Sequence, residues 1–253
     1  MAADHEPVDQ PTPALDFDGF LADCRVDPEV FALRPDYRSL LLVVDGLDPE
    51  AAGAHAESAA DELITAAESH ASSLLAANPV TELPHIAAWR EAYRAFGAKP
   101  QRTRNSLEAL TRRAESGLPR VNALTDIYNA ISVLHQIPLG GEDLAGYVGT
   151  AHLTRAAGDE DFDTVSGGDP VIEHPEPGEV IWRDEAGVTC RRWNWRQGRR
   201  TALQEGTTSA VFILDALAPM TDADLDAAGT TLANELARLG TGVRVASRVI
   251  GAE

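Results

Sequence analysis

The eleven residues from Cys190 to Arg200, CRRWNWRQGRR, hold five arginines, two tryptophans and no acid. They sit in a chain with 21 basic against 40 acidic residues and a net charge of -19. Guanidinium groups offer forked contacts to phosphate or carboxylate, and indoles offer stacking faces. Read as a strand from Val188 to Arg196, the alternation sends Arg191, Trp193 and Trp195 to one side. Cys190, Arg192, Asn194 and Arg196 then go to the other. In one reading the tryptophans cover the core and the arginines are solvated or paired with the acid excess. In the other, Arg192, Asn194 and Arg196 line a polar cleft suited to a phosphate, a carboxylate or a nucleotide edge. Spacing leaves both open. Gln197-Gly198 reads as the turn that follows, with Arg199 onward returning as a partner strand.

Other chemistry is sparse. The seven histidines form no HxxxH or HxH pair and the two cysteines no CxxC, so no metal site or other cofactor is expected. Cys24 and Cys190 read as reduced thiols of a cytoplasmic protein. The overall charge opposes non-specific nucleic-acid binding. Its distribution, however, is uneven: Arg90 to Arg120 carries eight bases against three acids, and Gly141 to Val180 carries ten acids. Arg102, Arg104, Arg112 and Arg113 are therefore the candidate RNA-facing residues, or else a solvated helix face. If RNA binds, it is expected from that side.

These groups need elements to hold them. The start, MAADHEPVDQPTP, is acidic and proline-bearing, so residues 1–14 read as a disordered tail with no secretory-signal pattern. SLLLVVDGL (39–47) reads as a buried strand. A long alanine-rich helix over 48–77 follows, ended by Asn78-Pro79. HIAAWREAYRAF (85–96) is an amphipathic helix closed by Gly97. NSLEALTRRAES (105–116) is capped by Asn105 or Ser106. Another helix opens at Asn122 or Thr125 and stops before Pro138. After Gly140-Gly141 the texture turns to strands at 146–153, 180–183, 188–196 and 210–214. A last helix (221–239) and strand (242–250) complete the chain. Helices and strands in blocks indicate an α+β fold. No apolar run has the roughly 20 residues of a membrane span, so no membrane partner is expected.

Several stretches in this order are familiar: WREAYRAFG (89–97), KPQRTRNSLEAL (99–110), LPRVNALTDIYNAIS (118–132), IPLGGED (137–143), PGEVIWRD (177–184) and CRRWNWRQ. Together, over roughly residues 85–217, they resemble the B3/B4 domain, the editing module of the phenylalanyl-tRNA synthetase β subunit, in its stand-alone form. The resemblance implies a layered α+β fold, with a mixed or antiparallel sheet flanked by helices over 85–253. Residues 15–84 would then be an N-terminal α/β extension packed on it.

The resemblance also implies an activity, hydrolysis of a wrongly esterified aminoacyl-tRNA by a held water, without a covalent nucleophile. The partner would be a mischarged tRNA or a small aminoacyl ligand. A non-catalytic module that binds RNA or an amino-acid-like ligand is the alternative, and charging activity is not expected. Within RVNALTDIYN, Asn122, Asp126 and Asn129 match the family pattern, while Tyr128 stands where the family has the threonine that faces the edited amino acid. Gly140 replaces the family's histidine. The glycine-rich pocket turn falls near Asn194, and the glutamate that reads the tyrosine hydroxyl falls near Asp215. Carried over, Asn122, Asn129 and Asn194 are the catalytic candidates. Asp126, Tyr128, Gly140, Arg192, Trp193, Arg196 and Asp215 are the substrate contacts. The departures imply a pocket that no longer prefers tyrosine. Plainer uses stand beside these: Asp126 with Asn129 as a capping pair, Tyr128 and Trp193 as core, Asp215 as a cap.

Overall fold

The computed structural model describes residues 16–252, so the expected tail over 1–14 lies outside the described residues. Along the chain run α1 (Phe17–Asp23), β1 (Arg25–Val26), α2 (Pro28–Leu33), β2 (Arg38–Asp45), α3 (Pro49–Ala77), α4 (Pro84–Ala95), α5 (Ser106–Arg113), α6 (Ala123–Leu134) and β3 (Leu139–Asp143). Then come β4 (His152–Arg155), β5 (Phe162–Ser166), β6 (Asp169–Glu173), β7 (Val180–Arg183), β8 (Val188–Arg191), β9 (Arg196–Gln197), β10 (Ser209–Ala216), α7 (Asp222–Leu236) and β11 (Arg244–Gly251). The fold is α+β. One sheet has the order β11-β2-β10-β3 and is antiparallel throughout. A second, β1-β4-β7-β8-β9, is mixed through the parallel pairing of β1 with β4. The hairpin β5-β6 forms a third.

The unbroken apolar run in β2 has a direct cause: both faces of its sheet are covered. Leu40, Leu42 and Val44 pack with Phe212 and Leu214 against α6 and α7. Leu41, Val43, Val211 and Ile213 pack the other way, against Trp182 and Cys190 of the second sheet, Trp193 just beyond β8, and Trp89 and Tyr93 of α4. Alanines of α3 let it lie close on α6, where Ile64, Ala67 and Ala71 meet Ala130 and Val133. Asn105 and Asn122 cap α5 and α6, accepting from the Glu108 and Thr125 amides at 2.8 and 2.9 Å. Among the described residues no helix is long and apolar enough to cross a membrane.

Two expectations are corrected. The strand from 188 to 196 ends at Arg191: Arg192 and Trp193 take left-handed conformations (φ 49° and 68°), and the chain reverses over 192–195. It returns as β9, pairing Arg191 with Arg196, so the turn precedes Gln197-Gly198. The strand expected over 146–153 begins only at His152. Gly149 has φ 77°, and a Cβ on Gly146 would meet the Arg200 carbonyl, so this stretch is a packed loop. As for placement, β2 lies between β10 and β11 in the four-stranded sheet.

Candidate functional site

A cavity of about 250 Å³ opens beside β3, between the two large sheets and the flank formed by α5 and α6. Register sets its floor. Glu142 pairs with Val211, and Gly140 with Ile213. Paired residues share a face, and so do alternate residues along β10. Glu142, Gly140, Ile213 and Asp215 therefore line one surface, and all border the cavity. Ser106 and Leu110 of α5, Tyr128 and Asn129 of α6, and the segment from Trp193 to Gln197 complete the wall.

The tight turn is what brings Asn194 to this floor. Trp193 is driven fully into the core, edge-on to Tyr37 and Trp89 with centroids 5.0 and 5.2 Å apart. That fixes its neighbour. The Asn194 amide donates to Asp215 Oδ2 (3.2 Å) and its side-chain oxygen accepts from the Tyr93 hydroxyl (3.0 Å). Its backbone carbonyl accepts from the Ser106 amide (2.9 Å), tying the turn to the start of α5. Asp215 Oδ1 accepts from the Tyr37 hydroxyl at 2.6 Å. Burial pushes the Asp215 carboxyl up to about 7, despite the hydrogen bonds from Tyr37 and Asn194 that favour its charge.

Glu142, at the other end of the floor, was not among the expected site residues. It is 1% exposed, and burial raises its carboxyl to about 7. Its Oε2 accepts from the Tyr147 hydroxyl. Burial also raises the Cys190 thiol well above its ordinary value, helped by the nearby Glu142 and Asp215. Asn129 lines the cavity, and among the described residues its side chain makes no hydrogen bond with the protein. No histidine lines the cavity among the described residues.

The structure thus brings together Tyr128, Asn129, Gly140, Trp193, Asn194, Arg196 and Asp215. It does not bring Asn122, Asp126 or Arg192 to them. Asn122 and Asp126 border a separate hollow of about 770 Å³ between α3 and the start of α6. There Asn122 caps its helix and Asp126 accepts the Val121 amide at 2.9 Å, which is local structural work. The larger hollow therefore holds none of the buried carboxyls of the floor. The face expected to unite Arg192, Asn194 and Arg196 does not form, because alternation stops at the left-handed residues. Arg192 instead lies over the Trp195 ring (4.3 Å) and 3.5 Å from Glu179, while the buried Arg191 pairs with Glu179 at 2.8 Å. Of the four arginines expected to face RNA, Arg112 is bound to the fully buried Glu108 at 2.9 Å and Arg104 lies 3.9 Å from it. Arg102 and Arg113 are exposed and form no ion pair among the described residues.

With this geometry in place, the sequence can be set beside known proteins. The family model described as the B3/4 domain matches residues 88–229. The chain belongs to the B3/4 domain family. Every cavity-lining residue lies within the matched part of this B3/4 domain protein, whereas β2 and β11 lie outside it. Among solved structures it is similar to an N-terminal fragment of the phenylalanyl-tRNA synthetase beta-subunit from Pyrococcus horikoshii, with 9% identity and a TM-score of 0.46. The match covers 88% of this chain and 49% of that one, so the B3/4 domain protein spans about half the length of the fragment. No curated protein matches it.

Proposed function

We propose that this B3/4 domain protein hydrolyses aminoacyl esters of the kind carried by mischarged tRNA, using a positioned water and no covalent intermediate. The observation that carries the reading is a cavity in which a free amide, Asn129, faces a floor of buried carboxyls beside nucleophiles that nothing activates. Cys190 is held as a thiol, a poor nucleophile. The Ser106 hydroxyl has no hydrogen-bond partner, hence no base to take its proton. Ester hydrolysis by water needs a donor to the developing oxyanion and an ordered nucleophile. Asn129 supplies such a donor. Asn194, with both ends of its amide already engaged, acts by holding Asp215 and the turn. Tyr128 and Gly140 together reshape the wall, and the preferred amino acid is not tyrosine.

A panel of mischarged tRNAs tests this directly. Turnover is expected for at least one, with tyrosyl-tRNA not the best. Asn129→Ala should slow it roughly 5- to 150-fold, the loss of one buried polar contact worth ~1–3 kcal/mol. Cys190→Ser should leave it nearly intact. A trapped Cys190 adduct would overturn the water route. Tight tRNA binding with no turnover would instead favour a non-catalytic binding module. The tied-up amide of Asn194 and the glycine at 140 lend that second reading some support.

A further inference from the structure

The hydrolysis just proposed does not use Glu142. Val211, its cross-strand partner, is four residues from Asp215 along β10, roughly 13 Å at the usual strand rise, so the two acids mark opposite ends of the floor. They differ in what they still accept. Both Asp215 oxygens already take hydrogen bonds, from Tyr37 and Asn194. Glu142 takes one in close geometry, from Tyr147, and the buried Thr189 hydroxyl beside it also favours its charge. Among the described residues no cation pairs with it directly, although Arg200 lies near enough to favour its charge. Arg200 is committed to Asp184 through contacts of 2.7 and 2.8 Å, Asp184 is itself an acid, and Tyr147 and Cys190 are held neutral by burial. A carboxyl this deep, with neutral hydroxyls but no cation in contact and bordering a cavity, is costly to ionise unless a charged donor meets it. The rim holds arginines with looser acidic neighbours: Arg196 borders the cavity 3.9 Å from Glu173, and Arg192 lies over Trp195, 3.5 Å from Glu179.

We propose that the cavity receives a primary ammonium, the α-ammonium of an aminoacyl ligand, with Glu142 as its acceptor and the ligand's anionic part left at the arginine rim. This rests on the reading that the cavity is the aminoacyl site. The raised affinity of Glu142 for its proton fits it, since an arriving ammonium supplies the direct cationic partner that Arg200, held by Asp184, does not.

The test uses amino-acid amides, which keep the ammonium and resist hydrolysis, against their N-acetyl derivatives, titrated by calorimetry into the full chain. The amides should bind at least ~10-fold more tightly, the scale of one charge-assisted hydrogen bond. Glu142→Gln should erase that preference. Equal binding of the acetylated series, a preference that survives Glu142→Gln, or no binding of any amide up to its solubility would each overturn the inference. Should the variant melt below the assay temperature, the wild-type comparison decides alone. Turnover separates the two proposals. If no mischarged tRNA is hydrolysed but amides bind selectively, only the hydrolase reading falls. If N-acetyl-aminoacyl-tRNA is cleaved as fast as the free form, only this inference falls.

Discussion

Asp215 and Glu142 keep protons that a carboxyl in water gives up near pH 4, and this ties the cavity to stability. The sign follows from proton counting. With its folded value raised to about 7, Asp215 contributes stability that is fully present below its unfolded value of 3.8 and is lost as pH rises through 7. Asp215→Asn removes that dependence while keeping an acceptor for Asn194. Melting curves at about pH 5 and about pH 8 should therefore show a smaller drop for the variant than for the parent chain; an identical drop would mean that Asp215 is ionised at both. The two acids differed in how readable they were. Asp215 follows an apolar run, VFIL, and the resemblance read from the sequence implied an acid near that position. Glu142 sits in PLGGED, where two glycines and two acids look like a loop. Only its pairing with Val211, a long-range fact, turns the side chain inward.

Among the elements, α5 carries two demands at once. Its first turn receives the Asn194 carbonyl, and its buried Glu108 gathers Arg90, Arg104 and Arg112. Replacing all four outer arginines by glutamate would thus confound RNA binding with folding. The separable prediction is that Arg102→Glu with Arg113→Glu changes stability by no more than ~0.5 kcal/mol per site, as exposed substitutions do. If tRNA approaches this face, that pair should weaken binding and flatten its salt dependence. Arg112→Glu sets a carboxylate against Glu108 and should cost on the order of 2 kcal/mol in thermal or urea unfolding. Most helices were legible because their caps are local: Asn105, Asn122 and the Asn78-Pro79 stop all act within a turn of themselves. The 188–196 segment misleads for a physical reason. A turn that alternates arginine, tryptophan and asparagine reads in sequence like a strand, and only φ tells them apart. The hairpin β5-β6 is obscured differently. Val165 and Ile172 are exposed, and Phe162 is its one buried aromatic, so too little apolar face marks it in the sequence.

For the whole molecule, the position of β2 is decisive. It shares eight register pairs with β10 and eight with β11, and its side chains serve both cores. We read residues 16–252 as one folding unit. A fragment cut to the family match, 88–229, would leave β10 unpaired along the edge that β2 covers and would expose Phe212 and Leu214. It should show no cooperative melt by circular dichroism, whereas residues 16–252 should melt in a single transition. A stable fragment would restore the picture of an accessory N-terminal extension. The sequence made SLLLVVD legible as a buried strand. It could not show where that strand lies, because sheet order depends on contacts between residues more than 160 positions apart.

All four tryptophans of the chain converge on one place. Trp182, Trp193 and Trp195 line the cavity, and Trp89 stands edge-on to Trp193. The protein consequently carries an optical reporter of its own: its indole emission, excited beyond the tyrosine band, originates at or one ring away from the cavity wall. Occupancy of the site, displacement of the arginine over Trp195 and local opening of the turn all act on the same indoles, and are open to titration without an attached dye.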